Sequence, residues 1–305
     1  MDRRRFLKTG LLAGASLTVP GIYGNYFSKS SRISSAVFDL VAVRNGEPDV
    51  MFDKGIEQLG GMKAFIKKNQ KVLIKPNIGW DVVPERAGNT HPKLVKRIIE
   101  HCYEAGAKEV YVFDHTCDDW RRSYTSSGIE KAVKDAGGKI VSGDSESYYQ
   151  SVAIDGAKVL TSVKVHELVL DSDVFINVPI LKSHSSTKLT ISMKNMMGVV
   201  WDRGYWHRNN LHQCIADYGL FNKKPTLNIV DAYYVMKQNG PRGVSLNDVA
   251  LMKSQIISTD IVAADAASAK LFGVEPDSIS YISLADSMKI GRKDLSTLNI
   301  KRIIL

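Results

Sequence analysis

Three lysines stand beside apolar runs with no acidic residue within four positions: Lys75, Lys182 and Lys194. Ammonium groups placed so have no local counter-ion. If they meet in one cleft they make an anion site and lower one another's proton affinity. Lys75 closes the run Val72-Leu73-Ile74 and is followed by Pro76-Asn77. Lys182 ends Val178-Pro179-Ile180-Leu181, and His184 lies two residues on. In an extended segment Lys182 and His184 point to one side, so a cation and an imidazole that exchanges a proton near neutral pH can share a ligand. Lys194-Asn195 precedes Met196-Met197-Gly198, where a glycine lets backbone approach a ligand closely. A loop dense in aromatics and bases, Trp201 to Arg208, comes next, then His212. This spacing casts Lys182 or Lys194 as electrophile or anion clamp and His184 as acid or base, with Lys75, Asn77, Asn195 and His212 holding substrate. Each residue also has a structural role open to it, as a solvated rim lysine or a hydrogen-bonded histidine at a strand end. Their clustering is what favours a site.

The acids are fewer. Asp265 shares a helix face with Ile261 and Ala269, in a segment rich in alanine. A carboxylate on such a closely packed face needs a base or a metal as partner, or sits at the edge of the stripe. Asp231 directly follows the apolar run Asn228–Val230 and is its companion on the sheet's rim. An ion pair that fixes helix to sheet accounts for these acids equally well. A metal would find His184, His212 or Asp265 as ligands. Cys102, Cys117 and Cys214 are far apart and no CxxC occurs. Four-cysteine zinc sites and thiolate iron–sulfur clusters are thereby excluded, and no iron–sulfur cluster is expected; the cofactor is otherwise open.

These residues need a frame that brings strand ends together. Short apolar runs predict strands at Ala36–Val43, Val72–Ile74, Val110–Phe113, Lys139–Ser142, Val174–Val178, Asn228–Val230 and Gln255–Ser258. Between them, helical spacing predicts Asp49–Lys68, a helix capped by Thr90 with Pro92 in its first turn, Ile129–Ala136, Val165–Leu170, and a helix from an Asp260 cap to Phe272 closed by Gly273. The alternation predicts an α/β fold with a mainly parallel sheet covered by helices on both faces. In such folds ligands bind beyond the carboxyl ends of the strands. The strand ends at Lys75-Pro76-Asn77, Asp114-His115 and Pro179 to His184 are therefore where a site belongs. No linker or repeat divides residues 31–305, which are read as one domain.

The first thirty residues read differently. Asp2-Arg3-Arg4-Arg5-Phe6-Leu7-Lys8, followed by a weakly apolar stretch to Val19, resembles a twin-arginine export signal. The expected location is therefore periplasmic or otherwise extracytoplasmic. No clean Ala-x-Ala precedes Gly24, so membrane contact is expected only through this segment, if it is not cleaved. Five bases and one acid lie in residues 1–30, which leaves +5 of the +9 net charge on the remainder. That is too little for a nucleic-acid partner. The 305 residues, 44% hydrophobic and 24% charged, exclude disorder, collagen and coiled coil for the whole chain.

Taken in order, Lys75-Pro76-Asn77, Thr90-His91-Pro92, Asn177 to His184, Ser192-Met193-Lys194-Asn195-Met196-Met197-Gly198, Asn239-Gly240-Pro241 and Ser258 through Asp265 to Gly273 resemble the successive signatures of the "domain of unknown function 362" family. The resemblance covers roughly residues 70–275 and points at Lys75, Asn77, His91, Asn177, Lys182, His184, Lys194, Asn195 and Asp265. His91 and Asn177 enter mainly through it, as further substrate-binding residues. Many members resemble iron–sulfur proteins through an added ferredoxin-like cysteine module, which this chain lacks. The expected function is that of an exported enzyme acting on a small carboxylate or phosphate. A non-catalytic anion-binding protein and a metal-dependent oxidoreductase are the alternatives.

Overall fold

Runs of β-branched and aromatic residues build the sheet, and amphipathic segments cover it. The computed structural model describes residues 38–305. The signal segment assigned to residues 1–30 and the start of the strand expected at Ala36 lie outside the described residues. The elements follow as β1 (Leu40–Arg44), α1 (Pro48–Glu57), β2 (Lys71–Pro76), α2 (Pro92–Glu104), β3 (Glu109–Val112), α3 (Trp120–Ser126), α4 (Ile129–Asp135), β4 (Lys139–Ile140), β5 (Tyr149–Ala153), β6 (Ser162–His166) and α5 (Glu167–Asp171). Then come β7 (Val174–Val178), β8 (Ile180–His184), β9 (Lys188–Thr190), α6 (Ser192–Asn195), α7 (Arg203–Arg208), α8 (Leu211–Tyr218), β10 (Leu227–Met236), β11 (Val249–Ser258), α9 (Ile261–Phe272), α10 (Ser280–Ser287) and β12 (Ile300–Ile304).

Among the described residues one large sheet runs in the order β12-β1-β11-β10-β7-β2-β3-β4. The pairs from β10 through β7, β2 and β3 to β4 are parallel, as is β1 with β12. β11 is antiparallel to both its neighbours, β1 and β10. Alternate side chains enter two cores. Val72, Ile74 and Ile176 pack with Leu94, Ile98 and Phe52 of the helices on one face. Leu73, Phe175 and Val230 pack with Ile215, Val262 and Ile282 on the other. The fold is thus α/β, with a mostly parallel sheet covered on both faces.

Local readings are corrected in several places. The helix expected to run to Lys68 stops at Glu57, because Gly60 and Gly61 take positive φ, 90° and 73°. The residue at the cap of α2 is His91, whose Nδ1 accepts from Lys93 N at 3.2 Å; Thr90 instead bridges Asn77 N and Val178 O. Val165–Leu170 divides between the end of β6 and α5. The strand after Leu227 does not end before Asp231 but continues to Met236, so Asp231 lies inside β10. Asp260 caps α9 by accepting from Val262 N and Ala263 N, and Gly273 closes the helix.

Candidate functional site

The parallel register aligns Lys75 with Asn177 and Asn177 with Asn228, and the antiparallel pair β10–β11 sets Asn228 opposite Ser258. Lys75 and Asn177 follow Leu73 and Phe175 by two residues and so share their face. The result is a row of polar side chains across the carboxyl end of the sheet. Asn177 Nδ2 donates to Asn228 Oδ1 at 2.9 Å and to Ser192 O at 3.1 Å. Asn195 Nδ2 donates to Asn177 Oδ1 at 2.8 Å, and Asn195 Oδ1 accepts from Lys75 Nζ at 2.7 Å and Asn77 Nδ2 at 3.0 Å. Buried amides joined in this way orient each other and fix which atom each presents.

Above this row lies a cavity of about 420 Å³. Lys75, Asn77, Lys182, His184, Lys194 and Asn195 all line it. The chain turns at Pro76 and Pro179 put the first four at its wall, and α6 brings Lys194 and Asn195. Gly198 lies on the floor. A Cβ there would overlap Asp114 Oδ1 and come within 2.6 Å of Lys75 Nζ, so only glycine leaves room for that pair.

The lysines differ in what surrounds them. Lys75, 1% exposed, lies 2.9 Å from Asp114 Oδ1. Burial lowers its proton affinity and Asp114 restores part of it. Lys182 is equally buried, but its ammonium donates only to neutral oxygens, Gly88 O at 2.6 Å and Asn77 Oδ1 at 3.2 Å. Burial, with Lys194 and Lys75 nearby, pushes it down to about 7. Lys194 approaches only the Met197 thioether, at 3.3 Å, and burial together with Arg203 and Lys75 brings it to about 8. Lys182 therefore sits near half-protonation at neutral pH while Lys194 stays mostly protonated, a pair suited to proton transfer and anion capture.

His184 departs from the role read in the sequence. Burial and then the Lys194 and Lys182 charges push its imidazole down to about 3, so it is neutral at pH 7. Its Nδ1 accepts from Ser186 N at 3.0 Å. The remaining ring nitrogen then carries the proton and can donate to a ligand. Proton exchange near neutral pH belongs to the lysines rather than to His184.

Other expected site residues lie elsewhere. His91 does not line the cavity; its ring packs against Tyr233 and Tyr234 with centroids 5.2 Å and 5.9 Å away. Asp231 is no companion of Asp265 but accepts from His91 N at 2.7 Å and Tyr233 N at 3.0 Å. Asn177 is fully buried beneath Asn195 and is a positioning residue. His212 is outside the lining and stacks on Tyr281 at 6.0 Å. Asp265, fully buried, pairs with neither a base nor a metal ligand set. Its carboxylate accepts from Ser192 N at 2.7 Å and Met193 N at 3.1 Å, and so anchors the start of α6. Burial pushes this carboxyl up to about 7 against the pull of those N–H groups. Among the described residues no group of three or more His, Cys, Asp or Glu is arranged to hold a metal ion.

Asp114, Arg203, Trp80 and Cys117 also line the cavity, and the sequence assigns none of them a role there. Asp114 neutralises Lys75, and its Oδ2 accepts from Ile78 N at 2.6 Å. Arg203 donates to His115 O at 2.7 Å and Thr116 O at 2.8 Å while facing the cavity. Trp80 and Cys117 complete the mouth. The signals existed for two of them: Asp114 follows a strand directly, and Arg203 opens the basic aromatic loop. Nothing in the local sequence marks Trp80 or Cys117.

A family model described as "Domain of unknown function (DUF362)" matches residues 72–270. The thylakoid-associated protein sll1697 of Synechocystis sp. is 25% identical over 248 residues, covering 76% of this chain and 72% of that one. The lactate racemase apoprotein from Thermoanaerobacterium thermosaccharolyticum is similar in structure with a TM-score of 0.49 at 11% identity, over 76% of this chain and 56% of that one. The match to the family model takes in every cavity residue, from Lys75 to Pro241, and the chain belongs to the DUF362 family.

Proposed function

We propose that the protein is an enzyme acting on a small carboxylate or phosphate held in the cavity, and that it works outside the cytoplasm after twin-arginine export. The observation that carries the catalytic part is Lys182: a fully enclosed amine whose hydrogen-bond partners among the described residues are neutral. A lysine retained for structure is normally paired with a carboxylate when buried, as Lys75 is with Asp114. Left without one, Lys182 is near half-protonation at pH 7 and, once protonated as an anion binds, serves as an acid. Lys194 and Arg203 hold the anionic group, His184 donates from its protonated ring nitrogen, and Asn77 and Asn195 orient the reacting atoms. Export rests on the Arg3-Arg4-Arg5-Phe6-Leu7-Lys8 pattern. Among the described residues no helix is long and apolar enough to cross a membrane, and membrane contact is proposed only through the signal segment, if it is uncleaved.

The test starts from ligands that copurify with the protein, identified by native mass spectrometry and then offered back as substrates. Turnover by the wild type that falls at least a hundredfold in Lys182→Met, with the fold retained, supports the reading. A tightly bound anion that is never turned over makes the protein a binding protein. Cell fractionation of the Arg3→Lys/Arg4→Lys variant tests export, and an unchanged extracytoplasmic pool would remove that part.

A further inference from the structure

The charge balance of the cavity constrains which anion it takes. Lys75, Lys182, Lys194 and Arg203 line it against a single carboxylate, Asp114. That carboxylate is committed, one oxygen to Lys75 Nζ and the other to Ile78 N. Three cations therefore face the cavity with no acidic partner among the described residues that line it. They come from different elements: Lys182 from β8, Lys194 from α6 and Arg203 from α7. Their partners place them apart: Lys182 lies against Gly88 O and Asn77 Oδ1, and Arg203 against His115 O and Thr116 O. Lys182 and Arg203 thus stand on different walls of the cavity, and Lys194 comes from a third element. Trp80, Met197 and Pro241 supply apolar wall for a carbon skeleton. The volume, about 420 Å³, is at the small end of the range for ligand sites, roughly 300–1,000 Å³.

A single carboxylate can answer only one of these walls. It would leave either the buried Lys182 ammonium or the half-buried Arg203 guanidinium without a counter-charge. We propose that the ligand is a short molecule with an acidic group at each end, carboxylate or phosphate, one on Lys182 and the other on Arg203, with Lys194 reaching both. This rests on the anion-site reading above and narrows it to a substrate class. The proton balance agrees. Lys182 and Lys194 are partly neutral at pH 7.5, so a ligand with two acidic groups draws protons onto them as it binds.

Isothermal titration calorimetry on the full chain, at pH 7.5 in two buffers of different ionisation heat, tests this with matched pairs. Malonate, succinate and glutarate are compared with propionate, butyrate and valerate, and 3-phosphoglycerate with glycerol 3-phosphate. The expected result is a gain of about thirtyfold or more for the two-acid member of at least one pair, with net proton uptake. A gain confined to the carboxylate pairs assigns carboxylates to both ends; one confined to the phosphate pair assigns a phosphate to one end. Arg203→Gln and Lys194→Met should each shrink that gain to less than about threefold. Their folding is checked by thermal melts, and the wild-type comparison stands without them. Equal affinities within every pair overturn the two-ended ligand and leave an anion site. No binding by any of these compounds removes the anion site and this proposal together.

Discussion

The cavity and the cluster around His91 use similar residue types to opposite effect. In the cluster every charge is answered. Asp231 accepts from two backbone N–H groups, and Tyr233 donates to Glu47 at 2.8 Å, which also meets Lys93 and Lys253. His91 caps α2 and packs against two tyrosines. In the cavity, by contrast, Lys182 and Lys194 are as deeply enclosed as core residues yet meet only carbonyl, amide and thioether atoms. The two regions thus differ less in residue type than in whether the fold gives an ionisable group a charged or N–H partner among the described residues.

Four variants break or sharpen this contrast. The largest effect is expected at the one cavity lysine that resembles the cluster. Lys75→Met strands the buried Asp114 carboxylate and should lower stability by about 3–5 kcal/mol in chemical denaturation. Adding Asp114→Asn should restore more than half of the loss, since an uncharged amide has far less to lose on burial.

Lys182→Met should behave oppositely. Anion affinity falls about a hundredfold, roughly 2.7 kcal/mol, while stability falls by no more than about 1.5 kcal/mol, the scale of a neutral hydrogen bond, and rises where loss of the desolvated amine outweighs that bond. Its pH signature distinguishes it further. Folding lowers the lysine from 10.5 to about 7, so between those values the unfolded chain binds the extra proton. Wild-type stability therefore rises with pH across that window, and the methionine variant should lose that slope. Anion binding has the reverse sign: affinity falls as pH rises above about 7, because the bound form needs the proton. A stability loss at Lys182 as large as at Lys75 would erase the distinction between them.

In the cluster, Asp231→Ala should cost about 1–3 kcal/mol by orphaning two backbone donors, with anion affinity within twofold of wild type. Smallest of all, His91→Ala should cost about 1 kcal/mol, the worth of one helix cap, and again spare binding. A large loss of affinity in either variant would move the cluster into the site.

The sheet's parallel half was legible because its strands are buried on both faces and read as unbroken apolar runs, such as Val72–Ile74 and Val174–Val178. β12 and the β8–β9 pair are not, since β12 is a half-exposed edge strand that pairs with the distant β1, and the β8–β9 hairpin turns within a polar run from Lys182 to Lys188. Within the site, strand ends and local spacing place Lys182 beside His184. They cannot show that Asp114 pairs with Lys75, 39 positions earlier, because that depends on β2 and β3 being neighbours. Asp265 stands out in the sequence as an odd carboxylate on an apolar face. Its partners are backbone N–H groups, and no side-chain pattern announces those.

Asp265 also sets a clock on the protein's making. The turn carrying Lys194 and Asn195 is held at its start by a side chain that follows it by 73 positions. A ribosome therefore completes all four cavity cations, Lys75 through Arg203, well before the carboxylate that seats α6 emerges. Up to that moment the nascent chain carries the charges without the chamber that gathers them. Because domains fold as units, the chamber around these four cations assembles only once synthesis has passed α9.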